Sequence, residues 1–141
     1  MIKFINFLMD LKDVSAGCII FSEESVLIVK NKNISFSFPK GHIKKGESVF
    51  DCAKRELFEE TGLFTEDLKF VKELGFVERP DGYSKRLKKV YYFLFYAYEE
   101  KKVSSRDTDN QAYWVKREKA EELLTHEEDR KLFRRISSFS F

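Results

Sequence analysis

Residues 48–62, SVFDCAKRELFEETG, constrain the fold more than any other stretch of the chain. Ser48 and Asp51 have the spacing of a capping box, with Asp in the place of the usual Glu or Gln. Gly62 can close the other end as a C-cap, so a helix is predicted from Ser48 to about Thr61. Along it, Glu56, Glu59 and Glu60 stand at i, i+3 and i+4 and share a face. Like charges at that spacing repel by roughly a few tenths of a kcal/mol per pair. At about 100° per residue, Glu56 and Glu60 also fall on the side of Val49, Cys52 and Ala53, the apolar stripe where burial is expected. Acids on the core edge of a helix are a local inconsistency of the kind that marks a functional site. A divalent cation resolves it, because hard carboxylate oxygens suit magnesium, which keeps some waters or substrate phosphates as its other ligands. Taken alone, the same three glutamates also fit an acidic, solvated helix.

The surrounding residues favour the site. Arg55 lies four residues before Glu59, within ion-pair reach, and can orient a ligand carboxylate. Glu47 sits just before the helix and can fold back toward the same face. Gly41 and Gly46 allow close backbone approach to a ligand. The helix start offers free N–H groups to an anion.

The rest of the chain supplies a sheet and two further helical stretches. Strands are predicted at about 14–21, 26–30 and 35–38, the second as a continuous apolar run buried on both faces. Residues 22–25 turn between the first two, Pro39 ends the third, and a loop then carries Gly41 and Gly46. Further strands are predicted at about 67–79, 88–98 and 111–115, with the AspGly pair at 81–82 as a turn signal in the connection between 79 and 88. Residues 117–136 read as helical with a break near Thr125. The order of strands, helix, strands, helix fits an α/β class, a mixed sheet with helices on its faces. A length of 141 residues suits one domain over 1–141.

Net charge of +2 argues against broad coating of nucleic acid. Positive charge is nevertheless clustered, at Lys40, Lys44 and Lys45 and again at Lys85, Arg86, Lys88 and Lys89; such clusters can hold an anion or simply be solvated. Cys18 and Cys52 form no CxxC or CxxH pair and sit among apolar neighbours, so buried free thiols are expected. The N-terminal segment is a poor signal peptide and no run approaches membrane-spanning length, so a cytoplasmic protein is expected.

Residues 41–63, GHIKKGESVFDCAKRELFEETGL, match the Nudix box, G-x5-E-x7-R-E-U-x-E-E-x-G-U with U aliphatic, at every fixed position: Gly41, Glu47, Arg55, Glu56, Leu57, Glu59, Glu60, Gly62 and Leu63. On these residues the chain resembles the Nudix hydrolases. The resemblance implies an α/β/α sandwich and hydrolysis of a phosphoanhydride bond in a nucleoside diphosphate derivative. It implies Mg²⁺, or Mn²⁺, held by Glu56, Glu59, Glu60 and the Gly41 carbonyl, with Arg55 and Glu47 bracing the cluster. Water activated by the metal would attack phosphorus.

Outside the box the flanks are less specific. PheProLysGlyHis (38–42), LysLysValTyrTyrPheLeu (88–94), GlnAlaTyrTrpVal (111–115) and GluLysAlaGluGluLeuLeu (118–124) resemble segments of diadenosine polyphosphate hydrolases. That likeness implies phosphate contacts from Lys40 and His42, a reach to the middle of the polyphosphate by Lys88 or Lys89, and stacking of a base on Tyr92 or Phe133. Each side chain also has a structural alternative: His42 as a loop cap, Tyr92 and Phe133 as core. Those hydrolases carry a glutamate where this chain has Asp109, one methylene shorter, so the base is Glu59 or Asp109. The partner expected is a small-molecule polyphosphate, with RNA 5′ ends the one nucleic-acid exception, no membrane, and a monomer or weak homodimer. Alternatives are a diphosphoinositol polyphosphate phosphohydrolase, an RNA 5′-pyrophosphohydrolase and a non-catalytic nucleotide-sensing module.

Overall fold

The structure, a computed structural model, describes residues 13–32, 34–80, 86–139 and 141. Its elements in chain order are β1 Val14–Phe21, β2 Ser25–Lys30, β3 Phe36–Ser37, β4 Lys40–His42, α1 Val49–Thr61, a 3₁₀ turn Thr65–Asp67, β5 Lys69–Pro80, β6 Leu87–Tyr96, β7 Gln111–Lys116, α2 Arg117–Leu123 and α3 Glu127–Ile136. The turn signal at 81–82, Lys85 of the second basic cluster and the N-terminal dozen residues lie outside the described residues.

The seven strands form one mixed sheet in the order β3-β2-β1-β6-β5, with β4 added to β1 and β7 to β2. β1 runs parallel to β6 along its whole length, Val14 opposite Lys89 through Phe21 opposite Tyr96. The other pairings are antiparallel. β1 is buried from end to end because both its faces are covered.

Strand alternation sorts the core into two layers. Ile19 and Phe21 of β1, Val90, Tyr92 and Leu94 of β6, and Leu132, Phe133 and Ile136 of α3 make one. Ala16, Cys18 and Ile20 of β1, Phe93 and Phe95 of β6, and Cys52, Ala53 and Leu57 of α1 make the other. The expected mixed sheet with helices on both faces is therefore found. Both cysteines are buried and free, as expected. Among the described residues no helix is long and apolar enough to cross a membrane.

α1 is bounded as its sequence predicts. The Ser48 side chain accepts the Asp51 N–H at 3.0 Å, and Gly62 adopts the left-handed conformation with φ 79° while its N–H bonds the Phe58 carbonyl. One expectation needs correction. Gly41 lies in a short strand and not in a loop: β4 pairs Lys40, Gly41 and His42 with Gly17, Ala16 and Ser15 of β1. Three residues are too few for an alternation pattern to show in sequence.

Candidate active site

β4 is where the two layers meet. Its backbone faces α1: the Lys40 N–H donates to Glu60 Oε1 at 2.8 Å, and the His42 carbonyl accepts from Arg55 Nη2 at 3.0 Å. Glu56 packs directly on Gly41, where a Cβ would lie 1.9 Å from Glu56 Oε1. Gly41 is required by that close approach.

Arg55 is the hub of the acidic face. Its Nε donates to Glu47 Oε2 at 2.6 Å and its Nη2 to Glu47 Oε1 at 3.0 Å, a bidentate pair. Nη1 reaches Glu59 at 2.9 and 3.1 Å and Glu56 at 3.4 Å. Glu47 also accepts the Lys44 N–H at 2.9 Å. The Arg55 guanidinium hydrogen-bonded to Glu47 holds that carboxyl below the usual range. The structure thus brings Gly41, Glu47, Arg55, Glu56, Glu59 and Glu60 together.

Glu60, buried, and Glu56, part-buried, behave differently from Glu47. Burial pushes Glu60 up to about 7, with the charges of Glu56 and Glu59 adding to the effect and the Lys40 N–H opposing it. Burial also raises Glu56, against the pull of Arg55 and with Glu59 adding. Carboxylates raised this way lack enough positive charge nearby. Hard oxygens short of a counter-charge, beside a carbonyl on β4, fit a divalent cation. The three glutamates have not converged, however. Among the described residues no group of three His, Cys, Asp or Glu side chains is arranged to hold an ion. Glu59 is turned to Arg55 and Glu60 to the Lys40 N–H, the spread that mutual repulsion favours.

A second polar cluster lies on the opposite face, toward α3. Lys40 is opposite Gly17, so its side chain points to the layer of Ile19 and Tyr92. Arg79 of β5 and Lys88 of β6 are cross-strand partners, both buried. Asp129, fully buried on α3, accepts from Arg79 Nη1 at 3.3 Å and from the Tyr92 hydroxyl at 3.0 Å. Burial and then the Arg79 charge lower Lys40, while Glu60, Asp129 and Glu56 pull it back up. His126, at the N-cap of α3, is pushed down to about 4 by burial and by Arg79, Lys40 and Lys88.

Several expected substrate residues are redistributed by this geometry. Lys88 joins Lys40 on the α3 side, whereas Lys89 faces the other layer with its ammonium 4.6 Å from the centre of the Phe76 ring. Tyr92 is 1% exposed, packed edge-on against Phe38 with ring centres 5.5 Å apart. It has no face for a base, so the stacking expectation is corrected: the phenol binds Asp129 instead. Phe133 is likewise core, against Phe21 at 5.7 Å. The His42 side chain is exposed, and its backbone is what braces Arg55. Asp109 is exposed, in the loop before β7 whose Arg106 N–H bonds the Glu59 carbonyl at 2.7 Å.

Arg79, Asp129 and His126 were not singled out from sequence. One signal for Asp129 was present: with Leu132, Phe133 and Ile136 it occupies i, i+3, i+4 and i+7, an acid on an apolar stripe.

The comparisons with known proteins agree with this fold and box. Residues 11–136 match the NUDIX domain, and the chain belongs to the Nudix family. Among curated proteins it is 45% identical over 47 residues to ADP compounds hydrolase NudE of Escherichia coli, a stretch that is 33% of this chain and 25% of that one. It is 31% identical over 62 residues to phosphatase NudJ of Escherichia coli, 42% of this chain and 40% of that one. The matches therefore span less than half of either relative. Among solved structures, a Caenorhabditis elegans Ap4A hydrolase in a binary complex superposes with a TM-score of 0.75 at 24% identity, covering 89% of this chain and 96% of that one. The Escherichia coli dihydroneopterin triphosphate pyrophosphohydrolase gives 0.75 at 17%, covering 87% and 93%. These likenesses are of fold.

Proposed function

We propose that the chain hydrolyses a phosphoanhydride bond in a dinucleoside polyphosphate such as diadenosine tetraphosphate, yielding ATP and AMP. The carrying observation is the pair of under-compensated carboxylates on α1, buried Glu60 at the Lys40 N–H and part-buried Glu56 against Gly41, beside a cationic cluster across β4. A hydrolase of this kind needs a cation seat at the reacting phosphorus and positive charge along the remaining phosphates.

Glu56, Glu59, Glu60 and the Gly41 carbonyl would hold Mg²⁺, or Mn²⁺. When bound, the ion supplies Lewis-acid polarisation of the phosphate and neutralises charge on the leaving oxygen. Arg55, clamped by Glu47, keeps Glu59 at the cluster. Glu59 takes the proton of the attacking water at a carboxylate oxygen, in preference to Asp109, because it stands within the cluster and Asp109 is an exposed loop residue. Lys40 and Lys88 hold the phosphates electrostatically from the α3 side.

The test is product analysis with Mg²⁺ on diadenosine tetraphosphate, a diphosphoinositol polyphosphate and a nucleoside triphosphate. Dominant release of ATP and AMP is expected. Preference for the inositol compound would replace the substrate assignment, and absence of turnover on all three would move the chain toward RNA ends or a non-catalytic role.

A further inference from the structure

α1 ends on the turn that carries two of the site's acids. The last four carbonyls of a helix have no partner within it, and here they belong to Phe58, Glu59, Glu60 and Thr61. The electrostatics of that turn are poor. Aligned peptide dipoles leave the C-terminal end of a helix negative, where cations are favoured and acids are not. Glu59 and Glu60 stand there, and the last turn contains no basic residue. Such an end frays unless something outside the helix holds it.

A strap between β6 and β7 does the holding. The Ser104 N–H donates to the Thr61 carbonyl at 3.0 Å, and the Arg106 N–H donates to the Glu59 carbonyl at 2.7 Å. The Phe58 carbonyl is taken by the Gly62 N–H of the cap. The Arg106 guanidinium lies 5.0 Å from the centre of the Phe58 ring and packs against Gly62, where a Cβ would come within 2.8 Å of its Nη2. Its Nη1 donates back to the Ser104 carbonyl at 2.9 Å and to the Ser104 hydroxyl at 3.1 Å, which fixes the side chain on the strap. The cation missing from the last turn of α1 is thus supplied from far along the chain.

The strap is itself anchored at both ends. The Lys101 carbonyl accepts the Trp114 indole N–H of β7 at 2.8 Å. Asp107 accepts the N–H groups of Asp109 and Asn110, each at 3.0 Å, and Asn110 Oδ1 accepts the Lys32 N–H beyond β2 at 3.2 Å. Glu59 is therefore held by two arginines, its carboxylate by Arg55 and its backbone by Arg106. Arg55 sets where the carboxylate points, and Arg106 sets where the turn that carries it lies. An ion such as Mg²⁺ demands near-ideal octahedral geometry of its oxygen ligands. Loosening the last turn costs ion affinity before it costs the fold.

Resting on the hydrolase reading above for what Glu59 and Glu60 do, we infer that Arg106 is a positioning residue of the reaction: from the strap between β6 and β7 it holds the last turn of α1 and so governs how tightly Glu59 and Glu60 seat the divalent ion. Arg106 touches neither the ion nor the substrate. Its effect enters through ion affinity and kcat, and leaves the KM of the organic substrate alone.

The test compares the full chain with its Arg106→Ala and Arg106→Lys variants by three readouts. Mn²⁺ affinity is titrated without nucleotide from the electron paramagnetic resonance of the free ion. kcat and KM are measured on diadenosine tetraphosphate at saturating Mg²⁺, and the thermal midpoint is recorded without metal. Arg106→Ala should bind Mn²⁺ about fivefold more weakly. Its kcat should fall about tenfold with KM nearly unchanged. Arg106→Lys, which keeps a cation at the helix end, should recover most of the Mn²⁺ affinity. A lowered thermal midpoint in Arg106→Ala with wild-type Mn²⁺ affinity would make the strap a purely structural tie and overturn the proposal. Equal loss of Mn²⁺ affinity in both variants would overturn the role of the charge. Weaker Mn²⁺ binding by Arg106→Ala, beside a wild-type chain that turns over no polyphosphate, would sink the hydrolase reading and keep the positioning role.

Discussion

α1 and α3 make the same local error in opposite ways. Each places an acid on the stripe that packs against the sheet: Glu56 and Glu60 on α1, Asp129 on α3. Asp129 is matched inside the protein, by Arg79 and the Tyr92 hydroxyl. Glu60 is met by one backbone N–H, and Glu56 by a single distant Arg55 contact at 3.4 Å. A buried acid with internal partners fixes other side chains, whereas one left short of positive charge is poised for a cation from outside. The electrostatics of the two acids carry the same contrast. Burial raises Asp129, with Arg79 and the Tyr92 hydroxyl drawing it back more than Glu128 adds, whereas for Glu60 burial with Glu56 and Glu59 outweighs the Lys40 N–H and ammonium.

The sharpest way to break this comparison is to remove one partner on α3. Asp129→Ala leaves Arg79 buried and unpaired and should cost roughly 3–5 kcal/mol, read from urea denaturation midpoints. A loss below about 1 kcal/mol would mean that Asp129 is not the internal partner described.

The acidic side should respond to pH instead. Glu60 titrates near 7 when folded and near about 4.3 when unfolded. The folded chain therefore holds a proton that the unfolded chain releases. Without divalent ion, stability should fall as pH rises from about 4.3 to 7, by roughly 2–3 kcal/mol, and Glu56 contributes in the same direction. Denaturation midpoints in EDTA across that window would show it, and Glu60→Gln should flatten the slope. A wild-type stability that rises through the window would reverse the assignment.

Gly41→Ala should separate fold from site. The new Cβ would collide with the Glu56 carboxylate but needs no unusual backbone. About a tenfold drop in kcat/KM, roughly 1.4 kcal/mol, is expected with the thermal midpoint nearly unchanged. The smallest effect concerns helix starts. Ser48→Ala removes a side-chain cap from α1 and should cost about 1 kcal/mol, whereas His126→Ala removes no cap bond from α3. Equal thermal shifts for the two would contradict the capping geometry.

Much of this was legible in the chain itself. Ser48 and Gly62 bound α1, and the box residues located the acidic face, because both signals lie within one contiguous segment. The α3-side cluster was not legible in the same way. Arg79 and Asp129 are 50 positions apart, so no spacing links them; only the burial of both β5–β6 and α3 against one layer does. The stacking expectation for Tyr92 failed for a related reason. Side chains alternate along β6, so Lys88, Val90 and Tyr92 face α3 while Lys89 and Tyr91 face away. The side of the sheet on which each residue falls depends on the parallel β1–β6 register, which local sequence does not carry. β4 escaped because its strand character comes from pairing with β1.

The most direct test of the central claim, that the acidic face of α1 seats the ion on which hydrolysis depends, is turnover of diadenosine tetraphosphate with Mg²⁺ by Glu60→Gln beside the wild-type chain. A fall of about 10²-fold or more, with the circular dichroism spectrum and thermal midpoint retained, is the predicted result. A folded Glu60→Gln protein as active as wild type would contradict the account.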